Sequence, residues 1–235
     1  MKLSTIAKTS LALGILTTGV MTTYAQPTDA EVKQGTQTKS DSEDINKLHS
    51  YYTQTPYELK GKSGYRVNDI VNVVDSPQLT EVKLAGSDKS KFNDNNLSNI
   101  DVFVVREDSK RDGTNRSIGG ITQGTNVHYT DWVKNPVISL KRTVNNAKLD
   151  EFAGYFKINK KEITLKELDF KLRNQLINKN GLYKDGIKNG DIIIKMKGNS
   201  DENRYTFELH KKLQEHRMGD VIDATQIDRI DVEYK

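Results

Sequence analysis

The stretch from Lys160 to Tyr183, KKEITLKELDFKLRNQLINKNGLY, reads as one helix with both ends written into it. Thr164 and Glu167 form a T-x-x-E capping box, which can satisfy two amide donors left unpaired at a helix start. Leu165, Leu168, Leu172 and Leu176 follow at steps of three and four and make one apolar stripe. Glu167 with Lys171, and Asp169 with Arg173, are acid-first pairs four residues apart, the better order for a helix. Asn180-Gly181 tolerates a positive φ and stops the helix. A helix apolar on one side must cover another layer, here a sheet. Asp169 and Arg173 are expected as a solvated or locally paired surface couple with no chemistry of their own.

The strand signals fall into two groups. Before the helix, 65–74 alternates in part, 79–84 alternates cleanly, 100–105 is a buried-type run, and 116–122 is a strand interrupted by two glycines. Asp94-Asn-Asn and Arg111-Asp-Gly supply turns. A short helical pattern from Ser42 to Tyr52 precedes them, with Ile45, Leu48 and His49 on one side. Many short strands after one small helix suit a small β-barrel. The second group is 137–142, 151–158, the capped helix, then 191–196, 204–209 and 227–234. That order is an α+β layer, a sheet covered by one long helix. The boundary falls near Asp131 to Pro136, which predicts a barrel over 44–134 and a second domain over 135–235.

The N-terminus has a different composition. Lys2 and Lys8 precede an apolar run from Leu11 to about Met21, and small residues follow. This predicts a secretory signal peptide over 1–30, cleaved after Ala25 or Ala30, and a secreted protein. The polar segment 31–43 lacks aromatics and is expected to be a disordered linker. No later run approaches the roughly 20 apolar residues that a membrane span needs, so no integral membrane segment is expected. The chain has no cysteine, which removes thiol nucleophiles and cysteine-held zinc. A net charge of +4 and a pI near 8.9 suit acidic ligands such as sialylated glycans.

The spaced positions Lys160, Ile163, Leu168, Asp169, Arg173, Leu176, Leu182 and Tyr183 resemble a pattern of staphylococcal and streptococcal superantigen toxins. The phrases Asp101–Val105, Gly119–Thr122, Leu165–Lys171 and Arg217–Ile222 resemble the staphylococcal superantigen-like subgroup. The resemblance covers nearly all of the segment after the leader. It implies an N-terminal OB-fold β-barrel followed by a C-terminal β-grasp domain. Three features depart from the true toxins. Ile118 and Asn126 depart from their barrel signature, the cysteine-bridged loop is absent, and Asp228-Arg229-Ile230-Asp231 lacks the histidine of a zinc-binding last strand. The resemblance therefore implies immune evasion rather than T-cell stimulation.

The segment 204–220, RYTFELHKKLQEHRMGD, carries the candidate site. Tyr205, Phe207 and Leu209 alternate with Thr206, Glu208 and His210, so a strand here sets one row inward and the other outward. By composition alone this is ordinary surface. It resembles the sialyl-Lewis-X-binding segment of one subset of superantigen-like proteins. That likeness implies that Thr206 and Arg217 hold the sialic acid carboxylate, and that Glu208, Lys211 and Asp220 meet sugar hydroxyls, with Gln214 a weaker member. A guanidinium fork and a hydroxyl match a planar carboxylate. Met218 is expected to be structural.

The resemblance implies host sialylated glycoproteins on leukocytes as partners. The alternative is a host immune receptor or soluble factor, such as a Toll-like receptor, immunoglobulin or complement, bound without sugar. An unpaired strand edge also allows a homodimer. His49, His128, His210 and His216 are scattered without metal-ligand spacing, and no nucleophile elbow or phosphate loop occurs. No catalytic residue, metal or cofactor is therefore expected. The aromatics Tyr65, Phe92, Phe103, Tyr129 and Trp132 make no exposed strand-spaced pair flanked by arginines, which together with the expected export argues against a single-stranded nucleic-acid face, and no nucleic-acid partner is expected. Phe103 is expected in the core and Trp132 between the domains.

Overall fold

A computed structural model describes residues 37–108, 113–125, 131–144, 147–198 and 203–235, with side chains from Ile45 onward. The signal peptide over 1–30, linker residues 31–36, the tip of the Arg111-Asp-Gly turn, Asn126, His128 and Tyr129 lie outside the described residues. The elements run α1 (Gln37–Tyr52), β1 (Tyr57–Val67), β2 (Ile70–Asp75), β3 (Gln78–Lys83), α2 (Asp88–Lys91), β4 (Asn96–Val104), β5 (Thr114–Ile118) and β6 (Ile121–Gln123). They continue with β7 (Val137–Val144), β8 (Ala147–Tyr155), β9 (Glu162–Thr164), α3 (Leu165–Asn180), β10 (Gly190–Met196), β11 (Arg204–Glu208), β12 (Val221–Asp223) and β13 (Ile227–Tyr234). The helix expected from Ser42 thus begins five positions earlier, at Gln37.

The first six strands form one curled sheet in the order β5-β3-β2-β1-β4-β6, the OB-fold barrel. Its core is Leu59, Val71, Val73, Val82, Leu84, Ile100, Val102 and Ile121. The run 65–74 is two strands, because Asn68 takes φ 55° and Val67 pairs with Ile70 across a hairpin. The run 116–122 is also two strands. Gly119 and Gly120 send β5 beside β3 and β6 beside β4, at opposite ends of the sheet order.

The second sheet has the order β11-β10-β13-β7-β8, with α3 on one face. Ile138, Leu140, Ile192, Ile194, Phe207, Ile230 and Val232 point toward α3 and are buried. The opposite face is open. Its central row, read across the register, is Thr206, Ile193, Asp231, Ser139 and Phe152. This is the helix-covered β-grasp layer.

Helix α3 keeps the expected ends. Thr164 Oγ1 accepts the Glu167 amide at 3.2 Å, and Gly181 takes φ 73° beyond the last turn. The reciprocal arm of the capping box is not made. The Glu167 carboxylate pairs instead with Lys160 and with Lys171.

The two domains share a core. Phe103 and Val105 leave the barrel to join the cluster around α3, and the Phe103 ring lies 5.7 Å from Phe170. Leu48 and Tyr52 bring α1 into the same cluster. The Lys166 ammonium reaches from α3 to Ser117 Oγ and the Ile118 carbonyl at 2.6 and 2.7 Å. Burial pushes its pKa down to about 8, against the pull of Glu107. Phe103 is core as expected. Trp132 is not interdomain packing: it is 47% exposed, and Lys157 Nζ covers its ring at 4.8 Å.

Candidate functional site

Strand β11 is an edge, hydrogen-bonded to β10 alone. The alternation read from the sequence holds: Phe207 and Leu209 are buried, Thr206 and Glu208 are half-buried on the open face, and His210 is exposed. Among the described residues the Thr206 hydroxyl has no hydrogen-bond partner. The chain turns after Glu208, and Lys211 folds back to pair with the Glu208 carboxylate. Gln214, in extended backbone, opens a single 3-10 turn over Glu215–Arg217.

That turn brings Arg217 to the strand. Its Nη1 donates to the Thr206 carbonyl at 2.9 Å and to Gln214 Oε1 at 3.1 Å, and its guanidinium carbon lies 5.5 Å from the Phe207 ring centroid. The other guanidinium nitrogens have no hydrogen-bond partner among the described residues. Asp220 closes the segment. Its amide donates to the Arg217 carbonyl at 3.2 Å, and its Oδ1 accepts from the Ser87 amide at 3.5 Å. The structure therefore gathers Thr206, Glu208, Lys211, Gln214 and Arg217 on one strand and its return turn. Asp220 sits at the barrel end of the same segment. Met218 is buried, as a structural residue should be.

The pair Asp169 and Arg173 is not on the surface, and this overturns the expectation for it. Both are buried, at 2% and 0% exposure. Arg173 Nε bonds Asp169 Oδ1 at 2.7 Å, and the Tyr52 hydroxyl donates to Asp169 Oδ2 at 2.7 Å. The same guanidinium donates to the carbonyls of Glu208 and Leu209 at 3.0 Å each and to the Tyr183 hydroxyl at 2.8 Å. Burial and the Asp169 charge hold the Tyr52 phenol well above its usual pKa. For Arg173 burial is the largest single influence and pulls downward, but Asp169, Tyr52 and Tyr183 together outweigh it and raise the pKa. This network fixes the end of β11 from beneath. Sequence reasoning missed its link to the site, although Asp169 and Arg173 flank the apolar stripe at Leu168 and Leu172, where a solvated charge has no room.

A guanidinium fork, a free hydroxyl, a carboxylate–ammonium pair and a second carboxylate form an open polar surface for hydrogen bonding. Among the described residues, no group of three or more His, Asp or Glu side chains is placed to hold a metal ion. His210 and His216 are exposed. No helix among the described residues is long and apolar enough to cross a membrane.

Comparison with known proteins accounts for this architecture. Residues 46–126 match the staphylococcal superantigen-like OB-fold domain, and 136–234 match the staphylococcal/streptococcal toxin β-grasp domain. Superantigen-like protein 11 of Staphylococcus aureus (strain Newman) is 45% identical over 99% of both chains. Staphylococcal superantigen-like 1 of the same strain is 41% identical over 100% of both. Among solved structures, SSL5 complexed with sialyl Lewis X is 35% identical with a TM-score of 0.75, covering 81% of this chain and 100% of that one. SET3, a superantigen-like protein from Staphylococcus aureus, is 32% identical with a TM-score of 0.76, over 88% of this chain and 100% of its own. With full-length identity at this level and both domains matched, the chain belongs to the staphylococcal superantigen-like family.

Proposed function

We propose that the protein is a secreted, non-catalytic immune-evasion factor that binds sialylated, sialyl-Lewis-X-type glycans on leukocyte glycoproteins. Binding is through Thr206, Glu208, Lys211, Gln214, Arg217 and Asp220. The observation that carries the reading is the meeting of Arg217 with Thr206 on an open sheet edge. One fork nitrogen ties the arginine to the strand, at 2.9 Å from the Thr206 carbonyl, and the rest of the fork is left for a ligand. A planar carboxylate is the ligand group that a fork and a neighbouring hydroxyl suit. The likeness to SSL5, solved with sialyl Lewis X, supports the same ligand class here. The export reading rests on the N-terminal sequence.

Glu208, Lys211 and Asp220 then serve the hydroxyls. Paired donors and acceptors on vicinal hydroxyls orient a sugar ring, and the carboxylate–ammonium pair can exchange its mutual contact for sugar contacts. Flow cytometry on neutrophils with and without sialidase treatment tests this. Binding that disappears with the sialic acid is expected. Binding unchanged by sialidase would reject it.

A second reading, a sugar-independent contact with a host protein, is favoured by one feature. At the far edge of the same sheet face, Val137, Phe152 and Tyr155 are 42%, 64% and 53% exposed, and the last two rings lie 5.2 Å apart. Exposed aromatics in a cluster are typical of protein-binding surface. Sialidase-resistant binding abolished by Phe152→Ser would favour this reading.

A further inference from the structure

The turn that carries Arg217 is built by the β-grasp domain but held by the barrel. On one side of Arg217, the Glu215 carboxylate meets Lys83 Nζ, at the end of β3, at 2.8 Å. On the other side, the Met218 carbonyl accepts from the Gly120 amide at 3.2 Å, and the Gly219 carbonyl accepts from Ser87 Oγ at 3.3 Å. The Ser87 amide also faces Asp220 Oδ1 at 3.5 Å. Further back, Lys212 pairs with Glu107, and the Leu213 amide meets the Tyr52 hydroxyl at 3.4 Å. Backbones touch directly at this seam. A Cβ added at Gly219 would overlap the Ala85 carbonyl oxygen and the Asp88 carboxyl, and one at Gly119 would lie 2.6 Å from the Met218 carbonyl.

We infer that the barrel is a working part of the glycan site although it does not line it. Lys83 and Ser87 are positioning residues that hold the 215–220 turn with the Arg217 fork against Thr206. This rests on the glycan reading above. A single 3-10 turn has little stability of its own. The apparent dissociation constant rises as the inverse of the fraction of molecules in which the turn is correctly set. Loosening the seam therefore weakens sugar binding without removing any sugar contact. The barrel end of the site also sets Asp220, so the same seam fixes the spacing between the sialic-acid end and the far carboxylate.

The test is a charge exchange across the seam in the full chain. Lys83→Glu and Glu215→Lys are made singly and together, and sialyl-Lewis-X affinity and thermal midpoint are measured for each. Both groups are about half exposed, so the fold should tolerate either change. Each single change is expected to weaken binding roughly two- to fivefold with an unchanged midpoint, and the double exchange to restore it. Gly219→Ala, which forces the seam apart, is expected to weaken binding about tenfold or more. Rescue by the double exchange separates positioning from general stability. Wild-type affinity in both singly exchanged proteins would overturn the inference and leave the glycan reading standing. A folded wild type that binds no sialylated glycan would overturn both.

Discussion

Arg173, buried beneath the sheet, donates from Nη2 to the Glu208 carbonyl at 3.0 Å and so holds the last residue of the strand that carries the candidate site. Its charge is balanced by Asp169 at 2.7 Å and capped by the Tyr183 hydroxyl at 2.8 Å. A helix residue thus sets the position of an edge strand that has only one neighbouring strand to hold it.

Removing that guanidinium leaves Asp169 charged, buried and paired only with Tyr52. Arg173→Met is expected to cost about 3–5 kcal/mol in chemical denaturation. The double change Asp169→Asn with Arg173→Met should lose less, because no lone charge stays buried. A single variant within about 0.5 kcal/mol of wild type would show that the network does not stabilise the fold.

Asp88 is fully buried, and neither carboxylate oxygen has a hydrogen-bond partner among the described residues. Burial pushes its pKa up from 3.8 to about 8; Asp220 adds to the rise, while Lys91 and Lys166 oppose it. The folded state therefore holds a proton that the unfolded state has lost. The stability tied to it is full below the unfolded pKa of 3.8 and is lost as pH rises through the folded value near 8. Asp88→Asn is expected to be more stable than wild type by an amount that grows between about pH 5 and about pH 9 and is on the order of a few kcal/mol at the top. Denaturation midpoints of the two proteins at both pH values measure it. A constant difference would place the carboxyl in an ordinary environment.

Both ends of α3 can be tested independently. Thr164→Ala removes the cap on the Glu167 amide and should cost about 1 kcal/mol. Gly181→Ala meets no atom within 4 Å, so its cost is the positive φ alone, about 1–2 kcal/mol. The two sites lie at opposite ends of the helix, so their effects should add in the double variant. A combined loss well below the sum would mean that the ends are coupled.

Phe152 is 64% exposed at the β8 edge, so Phe152→Ser should leave stability within about 0.5 kcal/mol. If the aromatic cluster binds protein, the same change removes sialidase-resistant cell binding while glycan affinity stays at the wild-type level. Loss of glycan affinity would mean that the two edges of the sheet are not separate surfaces.

Much of this fold was legible because local signals agreed with one another. Thr164, the leucine stripe and Gly181 bounded α3 without help from tertiary structure. Strict alternation in 204–209 is enough to set Thr206 and Glu208 outward. What stayed hidden depended on distant contacts. Arg173 looks like a surface partner of Asp169 until Tyr52, Tyr183 and the Glu208 carbonyl close around it. Gly119 and Gly120 look like a flaw in one strand until β5 and β6 are found at opposite ends of the sheet order. Trp132 reads as a domain seam, yet beside the shared core around Phe103 and Phe170 the backbones of the two domains meet at Gly119 and Gly219, whose lack of a side chain allows the approach. No local pattern marks residues chosen for what they omit.

The most direct measurement is a titration of the folded protein with sialyl Lewis X and with its desialylated counterpart, beside Arg217→Lys and Thr206→Val. The expected result is binding of the sialylated sugar alone, weakened about tenfold or more by Arg217→Lys, which keeps the charge but loses the fork, and weakened also by Thr206→Val. Equal affinity for both sugars, or wild-type affinity in both variants, would contradict a sialic acid site formed by Arg217 and Thr206.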